Sequence, residues 1–315
     1  MSTHSLDVFA SPHASPVPVV VPTNGHPTGW TYEEAFGRNT GLISKEDQQK
    51  LRECRVAIPG MGGVGGVHLV TLARLGVGAF SIADRDEFSV ANFNRQYGAK
   101  LQSVGARKAQ TMAANARAIN PDLDLSVISD RVTQDNVDQF LSEADVLIDG
   151  VDFFSIEARR MIFREARRRG IWAITAGPVG FSTAWLVFDP DGMSFDEYFD
   201  LNDDMSKVDQ LLAFAVGLTP KATQTSYMDI SKVDLKSGAA PSLGLACQLA
   251  SGVATAELTK IVTGKGKILA APHYQQFDTH QMKFVQGKLR FGNRGPIQKL
   301  KRRFLKTVCA RNGII

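Results

Sequence analysis

The chain has 315 residues, and 43% of them are apolar, which is enough to bury the core of one large α/β domain or two small ones. Its 36 basic and 32 acidic side chains give a net charge of +4, a composition typical of a globular protein. The three cysteines, Cys54, Cys247 and Cys309, lie far apart and form no CxxC pair, which argues against a disulfide framework and a structural zinc site.

The first 29 residues carry Pro, Ser and His and lack the basic start and unbroken apolar run of a secretory signal. This composition predicts a disordered N-terminal segment. No stretch of the chain approaches the roughly 18 apolar residues that a membrane-spanning helix needs. We therefore expect no transmembrane segment and a cytoplasmic location.

Short apolar runs alternate with amphipathic ones in the first half of the chain. Strands are predicted at residues 55–60, 79–84, 123–128, 145–149, 171–176 and 183–188. Helices are predicted at residues 44–54, 63–76, 104–119, 133–142 and 155–169. Because repeated strand–helix units form parallel sheets with right-handed crossovers, the pattern predicts a doubly wound, Rossmann-like α/β fold with a mostly parallel sheet.

The alternation stops after residue 188. Residues 189–240 begin with an acidic, turn-rich stretch and show no clear period, so we interpret them as an irregular crossover and substrate region. A long helix rich in small residues is predicted at residues 242–262 and ends before Gly264. Short strands near residues 273–278 and 282–287 predict a C-terminal antiparallel extension.

Residues 281–315 form a basic tail with ten Lys or Arg and no acidic residue, so the remaining 280 residues carry 26 basic and 32 acidic side chains. Leu300, Phe304 and Val308 recur at helical spacing beneath these charges. The pattern predicts an amphipathic helix suited to an acidic surface or a membrane face. Clustered cations also suit RNA, because binding releases counterions from the phosphates.

The sequence RVAIPGMGGVGG, at residues 55–66, joins the first strand of the sheet to a helix through a glycine-rich turn. The glycines at the turn are Gly60, Gly62, Gly63 and Gly65. Such a turn exposes backbone N–H groups at a helix N-terminus, which is a phosphate-binding arrangement. Asp84 ends the second strand, where a carboxylate would bind a ribose hydroxyl. These features suit either ATP or NAD, so an NAD-dependent oxidoreductase is one alternative.

The segment after Asp84 favours ATP. It continues into a turn-rich loop with Asn92, Arg95 and Gln96 in place of an immediate helix, and Lys108 follows. Cationic and amide groups around a phosphate seat suit a triphosphate whose negative charge increases at a breaking bond.

Five segments together resemble the ThiF/MoeB/HesA family of ubiquitin-activating-enzyme-like adenylyltransferases. They are GMGGVG (60–65), DRDEFSVANFNRQ (84–96), VGARKA (104–109), INPDLDL (119–125) and DGVD (149–152). The resemblance covers residues 38–262, and we expect the adenylation domain to span residues 30–280. It implies an enzyme that uses Mg-ATP to adenylate a carboxylate, often the C-terminus of a ubiquitin-like protein or peptide, with release of pyrophosphate.

The resemblance also implies a role for each site residue. The glycine turn, with Gly63, would lie against the nucleotide, and Asp84 would bind its ribose. The remaining implied roles are triphosphate contact for Asn92, Arg95 and Gln96, phosphate contact for Lys108, and binding of Mg²⁺ for Asp152. In AFGRNTGLI, Arg38 resembles the family's arginine that enters the ATP site of a partner subunit, which implies a homodimer.

Three departures from the family pattern limit the functional prediction. Phe153 and Phe154 follow Asp152 where the family has an amide and then an arginine, and the paired zinc cysteines are missing. There is no cysteine between Phe188 and Ala246, so we predict adenylation without an acyl-enzyme thioester. Cys247 is interpreted as a buried, inert thiol.

Two further alternatives stay open. The stretch RVTQDNVDQFLS and the NFNRQ form of the loop resemble the branch that dehydrates threonylcarbamoyl-adenosine in transfer RNA. The fourth possibility is a nucleotide-binding scaffold without catalytic activity, which would bind ATP but exchange no pyrophosphate.

Overall fold

The structure, a computed structural model, describes residues 29–235 and 237–315. Apart from Gly29, the predicted disordered segment 1–29 lies outside the described residues. Within the described part of the chain, no helix is both long enough and apolar enough to cross a bilayer.

Eight strands and ten α-helices are found in the described residues. The strands are β1 (Arg55–Pro59), β2 (Ala79–Ala83), β3 (Asp124–Ile128), β4 (Val146–Ile148), β5 (Trp172–Val179), β6 (Ser182–Phe188), β7 (His273–Asp278) and β8 (Lys283–Lys288). The helices are α1 (Tyr32–Phe36), α2 (Lys45–Glu53), α3 (Gly63–Leu75), α4 (Lys108–Arg117), α5 (Val137–Phe140), α6 (Ile156–Arg168), α7 (Phe195–Phe199), α8 (Lys207–Leu218), α9 (Gly244–Thr263) and α10 (Pro296–Arg311). Short 3₁₀ turns occupy Gly37–Asn39, Val90–Asn92, Leu101–Ser103, Thr223–Ser226, Ile230–Lys232 and Gly292–Arg294.

The strands form one sheet in the order β3-β2-β1-β4-β5-β6-β7-β8. The first five are parallel, and β6, β7 and β8 add as antiparallel neighbours. Helices α3, α4 and α9 lie over one face, while α6, α7 and α8 cover the other, so each face has its own apolar core. The predicted mostly parallel, doubly wound fold with an antiparallel extension is confirmed.

Helix α4 begins four residues later than its predicted start at residue 104. Gly105 has a positive φ of 81°, which is outside the helical region. The residues before α4 instead form single bridges to the loop after β2, at Phe88 with Val104 and at Glu87 with Arg107. This arrangement holds the start of α4 beside that loop.

The crossover at residues 189–240 contains helices α7 and α8, although its sequence shows no helical period. Helix α8 is buried on nearly all sides, so it has no polar stripe to create a period. Helix α7 is only five residues long, and its start is fixed by a capping box between Ser194 and Glu197.

The predicted basic tail is joined to the rest of the protein by two elements. Strand β8 pairs along its whole length with β7, and α10 packs against α8. The sheet therefore continues past the predicted domain boundary at residue 280.

Three glycines allow direct backbone contact where β1, α3 and β4 meet. A Cβ atom at Gly65 would overlap the carbonyl oxygen of Gly60, and one at Gly60 would overlap that of Gly150. A Cβ atom at Gly150 would lie 2.7 Å from the carbonyl oxygens of Pro59 and Gly60. Gly60 also has a positive φ of 92°. The first turn of α3 is thus held against the end of β4, with no side chain between them.

Gly65→Ala should lower the free energy of unfolding by about 3 kcal/mol, because the new methyl group meets backbone that cannot rotate away. The measurement is urea unfolding followed by circular dichroism. Gly252→Ala, in α9, is the matched control, since a Cβ there meets no atom within 4 Å. That control should raise stability by about 0.5–1 kcal/mol. Equal effects of the two substitutions would contradict the proposed backbone contact.

Candidate active site

A crevice is expected at the carboxyl end of β1 and β4, where the order of the sheet reverses. Strand β1 pairs with β2 on one side and β4 on the other, so the connections after β1 and β4 leave toward opposite faces of the sheet. Ligands of open α/β sheets bind at such switch points. The glycine turn follows β1, and the Asp149–Asp152 segment follows β4.

The first turn of α3 faces this crevice. Gly62 occupies the N-cap position, and no side chain caps the helix, so its first N–H groups are available to an anion. A Cβ at Gly62 would lie 3.6 Å from Nε2 of Gln96. A Cβ at Gly63 would lie 3.3 Å from Sγ of Cys247 and 3.6 Å from Cγ of Arg95. Gly60 and Gly65 serve backbone packing, whereas Gly62 and Gly63 border the loop after β2.

Asp84 links the glycine turn to the loop after β2. Its Oδ2 accepts a hydrogen bond from the Met61 N–H at 2.7 Å, and its Oδ1 accepts one from the Asp86 N–H at 2.8 Å. Burial raises the pKa of this carboxyl above its ordinary value, although both hydrogen bonds and the charge of Lys108 act in the opposite direction. Asp84 therefore helps to form the turn besides standing at the predicted ribose position.

The predicted triphosphate loop places Arg95 and Gln96 at the glycine turn. The guanidinium of Arg95 donates to the carbonyl oxygen of Ala91 at 3.1 Å and to Oδ1 of Asn94 at 2.9 Å. Gln96 is 8% exposed, and its buried Oε1 has no hydrogen-bond partner among the described residues. An unpaired buried amide beside an uncapped helix N-terminus is a feature of a site that binds a polar ligand.

Asn92 has a structural role in the same loop. Its Oδ1 accepts hydrogen bonds from the Ser89 N–H at 3.0 Å and the Ser89 hydroxyl at 3.3 Å. Its triphosphate contact stays a prediction, and that contact would have to come from the Nδ2 amino group while this turn is intact. The neighbouring Asn94 donates to the carbonyl oxygen of Ser242 at 2.9 Å, which holds the loop against the start of α9.

Lys108 begins α4 and is 7% exposed. Its ammonium lies 3.3 Å from Oδ2 of Asp86, and Asp86 is itself fixed by the backbone bond to Asp84. A buried lysine with a single half-exposed partner keeps donors for a second anion. The structure thus brings Lys108 near Asp84.

Asp152 is exposed just beyond β4. Its Oδ1 accepts a hydrogen bond from the Phe154 N–H at 2.9 Å, and its Oδ2 has no partner among the described residues. No group of three or more His, Cys, Asp or Glu side chains able to hold a metal occurs in the described residues. One accessible carboxylate fits Mg²⁺, which commonly binds one or two protein carboxylates together with phosphate oxygens.

Arg159 was missed as a site residue by the sequence analysis. It lies in α6 and forms a buried ion pair with Asp149 at 2.8 Å. Its guanidinium also donates to the carbonyl oxygens of Val151 and Phe153, on both sides of Asp152. The hydroxyl of Thr175 donates to Asp149 at 2.7 Å and completes the network. Arg159 therefore fixes the backbone of the segment that carries Asp152.

The signal for Arg159 was present but ambiguous. The stretch at residues 158–170 contains six arginines, and three of them, Arg164, Arg168 and Arg169, pair with acidic groups near the surface, as arginines on an outer helix face usually do. Arg159 and Arg160 are instead 3% and 4% exposed. Arg160 binds Asp196 at 2.9 Å and so attaches the crossover to the same helix.

Arg38 is not brought to the crevice within its own chain. It is exposed in the 3₁₀ turn Gly37–Asn39, and no hydrogen bond or ion pair joins its side chain to another described residue.

The antiparallel extension ends at the same edge of the sheet as the crevice. The turn between β5 and β6 lies there, and Ser182 pairs with Asp278. Around this turn, Phe181 stacks on His280 with ring centroids 5.1 Å apart and contacts Tyr227 at 5.5 Å. Asp278 accepts hydrogen bonds from Thr223 and Tyr227 beneath these rings.

Comparison with known proteins identifies the family. The sequence profile of the ThiF family matches residues 36–294, which is most of the chain. The chain belongs to the ThiF family. The resemblance seen in the sequence motifs is thereby confirmed.

Two curated relatives within this family come from Escherichia coli. The tRNA threonylcarbamoyladenosine dehydratase is 35% identical over 150 residues, covering 47% of this chain and 55% of the relative. The sulfur carrier protein ThiS adenylyltransferase is 30% identical over 148 residues, covering 47% and 58%, respectively. The chain therefore spans little more than half the length of these relatives.

A solved structure of Escherichia coli MccB with ATP has a similar fold. The TM-score is 0.59 at 18% identity, covering 83% of this chain and 72% of MccB. At this level of identity, the similarity shows a shared fold.

Arg159→Met should lower the free energy of unfolding by about 3–5 kcal/mol, because it leaves Asp149 buried without its cation. Urea unfolding measures the loss. The matched control is Arg168→Met on the same helix, whose ion pair with Glu165 lies at the surface and should cost at most about 1 kcal/mol. A loss below 1 kcal/mol for Arg159→Met would contradict its role in fixing this segment.

Proposed function

We propose that this protein is an ATP-dependent adenylyltransferase that activates a carboxylate as an acyl adenylate. The observation that carries the proposal is the convergence of an uncapped helix N-terminus, Asp84, two cations and Asp152 around one switch-point crevice. The favoured substrate is the C-terminus of a ubiquitin-like protein or peptide. One of the relatives, the sulfur carrier protein ThiS adenylyltransferase, is named for chemistry of this class.

In the proposed reaction, a carboxylate oxygen attacks the α-phosphorus of ATP. The new bond is carboxyl oxygen to phosphorus, and the bond from the α-phosphorus to the bridging oxygen breaks to release pyrophosphate. Attack by one anion on another is opposed by charge repulsion, and negative charge increases on the leaving group. Arg95 and Lys108 would stabilise that charge. Asp84 would orient the nucleotide through its ribose.

Asp152 is the residue proposed to hold Mg²⁺. The ion would offset phosphate charge when it is bound. Asp152 would present one carboxylate oxygen to the ion. Arg159 would keep that carboxylate in a fixed position through its hydrogen bonds to the carbonyl oxygens of Val151 and Phe153.

The proposal includes no thioester on this chain. Cys247 lies against Gly63, but burial raises the pKa of its thiol to about 11, so the nucleophilic thiolate is scarce near neutral pH. Burial raises the pKa of Cys54 to about 12 and also raises that of Cys309. The acyl adenylate would pass directly to an external nucleophile or carrier.

We further propose a cytoplasmic homodimer in which Arg38 enters the ATP site of the second subunit. Supporting this, Leu42 is 94% exposed only four residues after Arg38, and Val90 and Leu101 are exposed on the loop after β2. Large apolar side chains at such exposure are suited to burial against another chain.

The second candidate function is dehydration of threonylcarbamoyl-adenosine in transfer RNA. It is favoured by the 35% identity to the dehydratase and by the basic tail, which would bind RNA. Both candidates begin with ATP-dependent activation, so they share the crevice and differ in the acceptor. An NAD-dependent oxidoreductase and a scaffold without activity are separated from them by the measurements below.

The ATP–pyrophosphate exchange reaction tests the proposal. Arg95→Ala and Asp152→Asn should each lower exchange at least about 100-fold, since each removes a group that stabilises phosphate charge. Cys247→Ala should leave exchange unchanged. Arg117→Ala, at an exposed site on α4, is the control for loss of one positive charge.

The substrates for this assay are a synthetic peptide ending in Gly-Gly and an anticodon stem-loop carrying threonylcarbamoyl-adenosine. Exchange with only one of them assigns the class of carboxylate. Binding of NAD but not ATP, seen as a thermal shift, would favour the oxidoreductase. ATP binding without exchange on either substrate would favour the scaffold.

Nucleotide affinity should fall as the pH is lowered, because of Asp84. A raised pKa means that this carboxyl gains its proton at a higher pH than an ordinary aspartate does, and a protonated carboxyl is a weaker acceptor for ribose hydroxyls. Affinity should therefore be greatest well above that pKa and decline as the pH falls through it. Calorimetric titration with ATP and with AMP between about pH 8 and pH 4 measures this. The same pH dependence in Asp84→Asn would contradict the assignment.

A further inference from the structure

The outer face of α10 carries a row of large apolar side chains. Ile297, Leu300 and Phe304 are 67%, 67% and 70% exposed, respectively. Their spacing of three and four residues places them on one side of the helix, and we call them the outer ridge. Phe291, just before the helix, is also exposed. A continuous apolar row at this exposure is unusual for a surface with no binding role.

The opposite face of α10 attaches the helix to the protein. Gln298 and Cys309 are buried on that face. Arg302 pairs with Asp200 at 2.6 Å, and Lys306 pairs with Asp209 at 2.6 Å. The outer ridge is therefore not needed to dock α10, and the docked helix presents it as a fixed surface.

Cations stand beside the outer ridge without acidic partners. Lys299, Arg303 and Arg311 are exposed, and none forms an ion pair with another described residue. No Asp or Glu occurs after Asp278 in the sequence. The helix thus combines the apolar outer ridge with adjacent unpaired positive charges. This combination complements a binding surface that has an apolar layer beneath an anionic outer layer.

We propose that α10 binds an anionic lipid bilayer. The helix lies in the plane of the membrane interface, with the outer ridge among the upper parts of the acyl chains and with Lys299, Arg303 and Arg311 at the headgroup phosphates. A nucleic acid would use the cations alone, because its phosphate backbone has no apolar phase in which Ile297 and Leu300 would be buried. The exposed aliphatic side chains are the feature that favours lipid.

Each component of the binding is modest, so the association is reversible. Every Lys or Arg at an anionic surface strengthens binding by about fivefold, and this contribution weakens with salt. The outer ridge adds a contribution that salt does not screen. Binding should therefore need both parts of the surface and anionic lipid together.

Sedimentation of the full chain with sucrose-loaded vesicles tests the proposal. The vesicles are either phosphatidylcholine alone or phosphatidylcholine with about a third phosphatidylglycerol. We expect binding to the anionic vesicles that is at least about tenfold stronger than to the neutral ones and that weakens in high salt. Equal binding to both, or to neither, would overturn the proposal.

Two double variants separate the components. Leu300→Gln/Phe304→Gln removes two of the three outer-ridge side chains and leaves the charges. Lys299→Gln/Arg303→Gln removes two of the three unpaired charges and leaves the outer ridge. Each double variant should reduce vesicle binding at least about tenfold. The matched controls are Met282→Gln, an exposed apolar residue outside α10, and Arg74→Gln/Arg117→Gln, two exposed charges on other helices. The controls should bind as the unchanged protein does, and unchanged melting temperatures show that all variants fold.

Direct contact is measured with a fluorophore at position 300. The native cysteines are all buried, so Leu300→Cys can be labelled selectively with an environment-sensitive dye. Anionic vesicles should shift its emission to the blue, and brominated acyl chains should quench it. No shift for a labelled protein that still sediments with vesicles would overturn the assignment of α10.

Two other occupants of the surface give distinct results. If RNA is the partner, a labelled RNA hairpin binds, the charge variant loses that binding, Leu300→Gln/Phe304→Gln keeps it, and vesicles do not bind. If a second copy of the chain covers the outer ridge, Leu300→Gln/Phe304→Gln lowers the sedimentation coefficient of the free protein. Either result would overturn the proposal, and neither depends on whether the adenylation chemistry is correct.

Discussion

Backbone contact among Gly60, Gly65 and Gly150 is the constraint on which the site depends. It sets the end of β1, the first turn of α3 and the end of β4 against one another without intervening side chains. The uncapped N–H groups of α3 and the segment carrying Asp152 consequently begin at one place. The loop after β2 contributes further residues of the candidate site. Asp84 connects this loop to the glycine turn, because its carboxylate accepts a hydrogen bond from the Met61 N–H.

A second constraint acts through charge at the far side of the crevice. Arg159 and Arg160 are neighbours on α6, yet they bind different segments. Arg159 pairs with Asp149 in the segment after β4, and Arg160 pairs with Asp196 in the crossover. Both ion pairs are largely removed from water, where an unpaired partner would be strongly destabilising. One helix thereby fixes the relative position of the proposed metal-binding segment and the proposed substrate region.

The sequence allowed the fold to be predicted because strands and amphipathic helices differ in their apolar period, and the order of these elements determines a parallel sheet. Helix α8 was not predicted, because it is buried on nearly all sides and its sequence therefore has no alternation of apolar and polar residues. The start of α4 was placed too early because the positive φ of Gly105 is a property of the folded loop. Asp84, Arg95 and Lys108 were predicted as site residues from the motifs and their spacing. Arg159 was not, since only the tertiary structure shows that it reaches the Asp149 carboxylate and the carbonyl oxygens of Val151 and Phe153.

The hydrogen bond from Met61 to Asp84 has a consequence for ligand entry. Because this bond and the glycine contacts are made within the protein itself, the proposed phosphate-binding turn needs no nucleotide to hold its shape. The conformational entropy of the turn is lost during folding and not during association, so preorganisation favours affinity. At the proposed site, a nucleotide would therefore meet a turn whose shape is already set by the protein.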